Sequence, residues 1–111
     1  PAFAIRNPTC TGRLQRREPL AVNELQFLRS LTDRPVKVTL PGPYLLTRAM
    51  SVTSFTKGVY ADKPVLAADI VQLLRDELQD LVAENVEFIQ FDEPVLKEVV
   101  HSGTDKRRTF M

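Results

Sequence analysis

The sequence of 111 residues contains one cysteine, no tryptophan and only four glycines. A single cysteine, Cys10, cannot form a disulfide within the chain, which excludes a disulfide-stabilised scaffold and favours a reducing, cytoplasmic setting. No apolar run approaches the roughly 20 residues that a membrane span needs. The chain also shows no secretory signal. We therefore expect a soluble intracellular protein.

An excess of charge of one sign is also missing. Fifteen basic and 14 acidic side chains leave a net charge of +1, whereas a nucleic-acid-binding domain would carry a basic face. Basic residues do form two runs, and such runs are usually solvated tails or exposed faces. The two runs are Arg13, Arg16, Arg17 and Lys106, Arg107, Arg108. We expect both to be exposed, with neither a nucleic acid nor a membrane as partner.

Helical and extended patterns alternate along the chain. The predicted elements are a short strand between residues 2 and 14, a helix from 18 to 31, a strand at 36–40, a short helix at 44–50, a polar loop at 51–61, a long helix from 62 to 85 and a strand at 86–91. Such an alternation predicts right-handed crossovers and a parallel sheet. The fold class is therefore α/β, with about three parallel strands and crossover helices.

The long helix is the strongest of these predictions. Asp62 can cap it, Pro64 suits its first turn, and Asn85 tolerates the left-handed backbone that ends many helices. Apolar residues at helical spacing predict one buried stripe. The stripe consists of Leu66, Ile70, Leu74, Leu78 and Leu81.

Two predicted strands end on unusual residues, with Gly42 between two prolines after one strand and Asp92-Glu93 before a proline after the other. In parallel sheets, ligands bind beyond the carboxyl ends of the strands. We predict that the strands at 36–40 and 86–91 are parallel, with Gly42 and Asp92 at the same end. The acids would then mark the point where a strand leaves the core and enters a site.

A simpler reading treats Asp92 and Glu93 as the start of a solvated turn, because acids near proline often form turns. Adjacent carboxylates also point in different directions from an extended backbone, so only one of them can easily face a ligand. For Gly42 the alternatives are a rigid turn and a close approach of the backbone to a ligand. Taken singly, neither motif decides between these readings.

Together the motifs carry a resemblance. "RPVKVTLPGP" at residues 34–43, "LRDELQDL" at 74–81 and "IQFDEPVL" at 89–96 are similar, in sequence and order, to the C-terminal catalytic barrel of cobalamin-independent methionine synthase. The resemblance implies an eight-stranded (β/α) barrel and methyl transfer to a thiol, most simply homocysteine to make methionine. It also implies a zinc ion that binds the substrate sulfur as a thiolate.

The resemblance implies specific roles at the two strand ends. Asp92 matches the aspartate that holds the amino group of the amino-acid thiol, a role for which a carboxylate suits because it accepts charge-assisted bonds from an ammonium. Glu93 matches the same motif and would orient the site or make a structural bond. Gly42 matches the loop at the mouth of the active site. The expected substrate-binding residues are thus Asp92, Glu93 and Gly42, and none of the expected residues is catalytic.

No metal ligand is expected in the chain itself. The zinc ligands of the family lie well downstream of the strand that carries Asp92. His101 follows Asp92 too closely to match them, and a lone histidine is not a zinc site. Cys10 matches no ligand either, and we expect it to be a small buried apolar residue.

The methyl donor is left open between a folate and a corrinoid. The familiar two-domain branch of the family carries a tryptophan that stacks on the folate, whereas the matching position in this chain is Ala49. The loop at 51–61 is also longer than in that branch. Shorter relatives use corrinoid donors, or a different thiol such as coenzyme M.

The length raises a second alternative. A barrel of this class needs about 250 residues, so we expect residues 1–111 to be a single partial domain, an internal portion of a longer enzyme that is inactive alone. Its open sheet edges would invite pairing with a second copy. The alternative is a self-standing small α/β binding module whose Asp92 end recognises an amine or a cation.

Overall fold

The computed structural model describes residues 6–101, without the side chains of residues 100 and 101. The elements in chain order are α1 (Val22–Leu31), β1 (Lys37–Pro41), α2 (Pro43–Met50), α3 (Thr53–Thr56), α4 (Lys63–Ala83), β2 (Phe88–Asp92) and α5 (Lys97–His101). The mixture of helices with a small parallel sheet agrees with the predicted α/β class.

The parallel pairing of the two strands confirms the prediction made from their ends. β1 and β2 are hydrogen-bonded neighbours in a two-stranded parallel sheet. Their register runs from Lys37 opposite Phe88 to Pro41 opposite Asp92. Helices α2, α3 and α4 lie between the two strands in sequence and form the crossover. Gly42 and Asp92 therefore lie at the same end of the sheet.

The expected strand between residues 2 and 14 is absent from the part that the structure describes. Residues 6–14 contain no strand, and residues 2–5 lie outside the described residues. The segment is instead held by contacts with the helices. Cys10 donates its N–H to the Met50 carbonyl (2.8 Å), and Leu14 donates its N–H to the Tyr60 hydroxyl (2.9 Å). The N–H groups of Cys10 and Leu14 are therefore not available for hydrogen bonds to a neighbouring strand.

The first helix begins later than predicted, at Val22 instead of the turn that contains Pro19. The N–H groups of Leu20 and Ala21 both point to the carboxylate of Glu77 on α4, at 2.7 and 2.8 Å. Ala21, at the N-cap, has no capping side chain of its own. An acid from another helix thus receives the donors that precede α1, and the chain turns into the helix only after them.

The loop predicted to be polar contains the short helix α3 and two buried side chains. Thr56 and Tyr60 are both buried, and the Tyr60 hydroxyl donates to Asp69 at 2.7 Å. Arg13 lies over the ring of Tyr60, 5.7 Å from its centroid. Burial, which disfavours the phenolate, raises the pKa of Tyr60, and the bond to Asp69 acts in the same direction.

Helix α4 follows its sequence signals closely. The Asp62 carboxylate accepts the N–H of Val65 at 3.1 Å, and Pro64 stands in the first turn. Asn85 has a positive φ of 56° after the last turn, as predicted. The stripe differs at one position: Leu78 is only partly buried, whereas Glu77 is fully buried.

Two apolar clusters flank this helix. One joins α1, the sheet and the C-terminal half of α4, through Ala21, Val22, Leu25, Val36, Val38, Leu40 and Leu81. The other joins α4 to the N-terminal segment and the loop before α4, through Cys10, Tyr60, Leu66, Ile70 and Leu74. Cys10 is therefore the small buried residue that the sequence predicted. Among the described residues, helices cover only the face of the sheet that carries Val38 and Leu40.

Glu77 ties the N-terminal segment to α4. Its carboxylate accepts bonds from the N–H groups of Leu20 and Ala21 and from Nε and Nη2 of Arg16, at 2.7 to 3.1 Å. Arg16 also donates to Asp80 at 2.5 Å, and this bond is the main reason why its pKa is raised. Arg16 is therefore an anchored side chain, which makes the prediction of an exposed run wrong at this residue. Arg17 is exposed as expected.

The ionised form of Glu77 is the one that the fold stabilises. Burial alone would raise its pKa, but the bonds from Leu20, Arg16 and Ala21 outweigh burial and lower it. A carboxyl with a lowered pKa in the folded state stabilises that state above the pKa of the unfolded chain, near 4.3. This stabilisation is lost as the pH falls through the lower folded value.

We predict that Glu77→Gln destabilises the fold by about 1–3 kcal/mol at neutral pH, because the amide presents a donor to Arg16 and loses the charge. The difference between the variant and the wild type should shrink as the pH falls below about 4. Denaturant unfolding of both proteins at a series of pH values measures this. Glu24→Gln, at an exposed acid in the first turn of α1, is the matched control. An equal loss in both variants would contradict the assignment.

Candidate substrate site at the strand ends

The end of the sheet is closed by a backbone bond between the two strand-end motifs. The N–H of Gly42 donates to the carbonyl of Asp92 at 2.7 Å. This bond continues the strand pairing one residue beyond Pro41, which has no N–H to donate. The two sequence motifs are therefore in direct contact, and α2 starts directly above the end of β2.

Glu93, the first residue after β2, caps α2. Its Oε1 accepts the N–H of Tyr44 at 2.7 Å and its Oε2 accepts the N–H of Leu45 at 2.9 Å. The helix has no capping side chain of its own, because its N-cap residue is Gly42. Free N–H groups and the helix dipole both favour a negative charge at this position. Glu93 thus holds the end of β2 against the first turn of α2.

Gly42 is required for space, not for an unusual backbone. Its φ of −76° is open to any residue. A Cβ at this position, however, would lie well under 3.0 Å from the side-chain atoms of Glu93, a distance that real Cβ atoms do not show. The room beside the Gly42 backbone is therefore filled by the Glu93 carboxylate. The glycine of one motif and the second acid of the other fit together as a pair.

Asp92 points away from the helices. Along β1, Val38 and Leu40 are buried against the helices, whereas Lys37 and Thr39 are exposed. The register places Gln90 opposite Thr39, and Asp92, two residues further, lies on the same face as Gln90. Asp92 is exposed, and its Oδ1 accepts a bond from Nε2 of Gln90 at 2.6 Å. The two adjacent acids therefore face different surroundings, as an extended backbone requires.

A salt bridge joins the segment after the site to α2. Arg48 donates from Nε and Nη2 to the two carboxylate oxygens of Glu98, at 2.9 and 3.0 Å. Glu98 lies on α5, which follows the strand end directly. Such a paired geometry is the strongest form of an exposed ion pair, although its contribution to stability stays below about 1 kcal/mol. The residues after Asp92 are thus attached to α2 near both of its ends.

The chain matches known proteins over a range that includes both strand-end motifs. The family model described as the catalytic domain of cobalamin-independent synthase matches residues 3–111. The chain belongs to this family. A 5-methyltetrahydropteroyltriglutamate–homocysteine methyltransferase from Streptomyces avermitilis is 39% identical over 98 residues, which cover 86% of this chain and 12% of that protein. The enzyme of the same name from Saccharomyces cerevisiae is 35% identical over 104 residues, or 92% of this chain and 13% of the relative.

The family resemblance seen in the strand-end motifs is therefore confirmed. The chain spans about an eighth of the length of the curated relatives that it matches. No solved structure matches the chain with significance. None of the helices within residues 6–101 has the length and apolar character that crossing a membrane requires.

The described residues do not form a site for the zinc ion that the resemblance implies. Across residues 6–101, no three His, Cys, Asp or Glu side chains are grouped so that they could hold a metal. Cys10 is buried, and its thiol donates to the carbonyl of Gly12 at 3.1 Å. His101 is the last residue of α5, and its side chain lies outside the described residues.

Sequence reasoning missed four residues that support this site. Gln90 belongs to the motif "IQFDEPVL" at residues 89–96. Its spacing of two residues from Asp92 could have placed both side chains on one face of a strand. Lys37, which contacts Gln90, could be found only from the register between the strands. The pair Arg48–Glu98 depends on how α5 packs, for which the sequence contains no signal.

We predict that Gly42→Ala destabilises the protein by about 1–3 kcal/mol, because the new methyl group must displace Glu93. In a Glu93→Ala background the same change should cost less than about 0.5 kcal/mol, since the obstacle is gone and the backbone suits alanine. Denaturant unfolding of the two single variants and the double variant gives the coupling. Gly58→Ala is the control, because a Cβ there meets nothing within 4 Å. Additive effects of the two changes would contradict the pairing.

Proposed function

We propose that this chain contributes part of the substrate site of a methyltransferase that transfers a methyl group to a thiol. Membership in the family supports this class of reaction, as do relatives that are named as homocysteine methyltransferases. The same names favour this function over a self-standing binding module. Homocysteine is the thiol that the relatives' names suggest, and the product would be methionine.

A (β/α)8 barrel is the architecture that we propose for the complete catalytic domain. In such barrels the helices cover the outside of the sheet, and the active site lies at the carboxyl ends of the strands. Within residues 6–101, helices cover one face of the sheet, so the opposite face corresponds to the barrel interior. Asp92 lies on that face and at that end of its strand. This placement is the observation that carries the proposal.

Asp92 is the residue that we assign to the substrate. A carboxylate accepts charge-assisted hydrogen bonds from the ammonium group of an amino-acid thiol, and such bonds are about twice as strong as neutral ones. One oxygen of Asp92 is bonded to Gln90, and the other has no hydrogen-bond partner among the described residues. Gly42 and Glu93 belong to the same site and shape its rim beside Asp92.

A folate is the methyl donor that we propose, because the relatives are named for 5-methyltetrahydropteroyltriglutamate. A corrinoid donor gains no support, since the family is described as cobalamin-independent. Zinc, when bound, would bind the substrate sulfur as a thiolate. The residues that would hold the zinc ion lie outside residues 6–101. Asp92, which lies within them, would bind the ammonium end of the substrate, away from the sulfur.

We predict that Asp92→Asn in the full-length enzyme raises the apparent Michaelis constant for the amino-acid thiol by about 10- to 150-fold. A hydrogen bond to a charged group contributes about 1.5–3 kcal/mol, and each 1.4 kcal/mol is tenfold in affinity. Steady-state kinetics with varied thiol measures the change, and the metal content should stay the same. Asp33→Asn, at an exposed aspartate before β1, is the control. Unchanged thiol affinity would mean that Asp92 merely ends a strand, because asparagine serves a turn equally well.

A further inference from the structure

Gln90 makes two hydrogen bonds on the helix-free face of the sheet. Its Nε2 donates to Oδ1 of Asp92 at 2.6 Å, and its Oε1 accepts from Nζ of Lys37 at 2.8 Å. Lys37 lies on β1 and Asp92 at the end of β2, so the amide connects the two strands. We propose that Gln90 is a positioning residue that orients the Asp92 carboxylate toward the substrate ammonium. This inference rests on the proposed function of Asp92.

The chemistry of the two partners allows only one orientation of the amide. A lysine ammonium can only donate hydrogen bonds, and an ionised carboxylate can only accept them. The Gln90 oxygen must therefore face Lys37, and its NH₂ group must face Asp92. Lys37 thereby ensures that a donor, and never an acceptor, is directed at Asp92.

This arrangement prepares Asp92 for a cationic ligand. The bond to Gln90 fixes Oδ1, so the carboxylate has less rotational freedom to lose when the substrate binds. Oδ2 is the oxygen without a hydrogen-bond partner among the described residues. The Asp92 carboxylate is therefore already ordered before the substrate binds, as in other pre-oriented sites.

Gln90 also separates Asp92 from Lys37. A direct ion pair would compete with the substrate ammonium, because both cations would seek the same carboxylate. Lys37 orients the neutral amide of Gln90, and the amide in turn orients Asp92. The carboxylate of Asp92 is thereby oriented without being paired with a positive charge. Glutamine suits this position because it donates at one atom and accepts at another.

The first test compares Gln90→Met with Gln90→Glu in the full-length enzyme. Methionine keeps the approximate volume and removes the donor, so we expect the apparent constant for the thiol to rise about 3- to 10-fold, with a smaller change in kcat. Glutamate is closer in shape to glutamine but turns an anionic oxygen toward Asp92. It should therefore impair thiol binding more than methionine does. If glutamate were the milder change, Gln90 would act through shape alone and the proposal would fail.

The second test concerns Lys37. Lys37→Met should also raise the apparent Michaelis constant for the thiol, by about 2- to 5-fold. The effect is small because a hydrogen bond near the surface contributes free energy at the low end of the usual range. Lys37→Arg keeps a donor for Oε1 of Gln90 and should restore binding. Lys57→Met, at an exposed lysine outside the sheet, controls for the loss of one charge. Equal effects of the methionine and arginine variants at position 37 would overturn the role of Lys37.

Asp92→Asn separates this inference from the proposed function. If Asp92→Asn impairs thiol binding and Gln90→Met does not, the positioning role is wrong although the substrate contact is right. If neither change matters, both proposals fail. Gln90→Met should weaken thiol binding in the wild type and have no further effect in an Asp92→Asn background. That result would support the positioning role, because Gln90 then acts only through Asp92.

Discussion

The register between β1 and β2 is the constraint on which the rest of the site depends. Parallel pairing with Pro41 opposite Asp92 brings the ends of two strands together that are about fifty residues apart in sequence. Three further contacts follow from this register: the bond from Gly42 to the Asp92 carbonyl, the cap of Glu93 on α2, and the bond from Lys37 to Gln90. A shift by one residue would turn every side chain of a strand to the other face and break all three.

The two adjacent acids divide the work at this strand end. Glu93 turns toward α2, where two backbone N–H groups and the helix dipole occupy its carboxylate. Asp92 turns to the opposite face, where one oxygen is oriented by Gln90. The pair of carboxylates therefore serves as one anchor and one ligand group, because neighbouring side chains of an extended chain cannot face the same partner.

A buried acid performs a comparable task far from the site. Glu77 replaces an apolar residue in the stripe of α4 and receives donors from Arg16 and from the segment before α1. It sets where α1 begins, and α1 packs against the buried face of β1. Glu93 caps the first turn of α2, whereas Glu77 accepts the N–H groups that immediately precede α1. In both cases a carboxylate from a distant part of the chain holds the start of a helix that has no capping side chain of its own.

Local signals in the sequence were sufficient for α4, whose cap at Asp62 and end at Asn85 depend only on nearby backbone groups. They were also sufficient for the two strands and their parallel pairing, because β-branched runs joined by a helical crossover leave few alternatives. The family followed from motifs at strand ends. Sequence alone could not reveal that Glu77 is buried, that residues 6–14 form no strand, that Gly42 makes room for Glu93, or that Gln90 bridges Lys37 and Asp92. Each of these depends on atoms that come together from distant parts of the chain, so only the tertiary structure decided them.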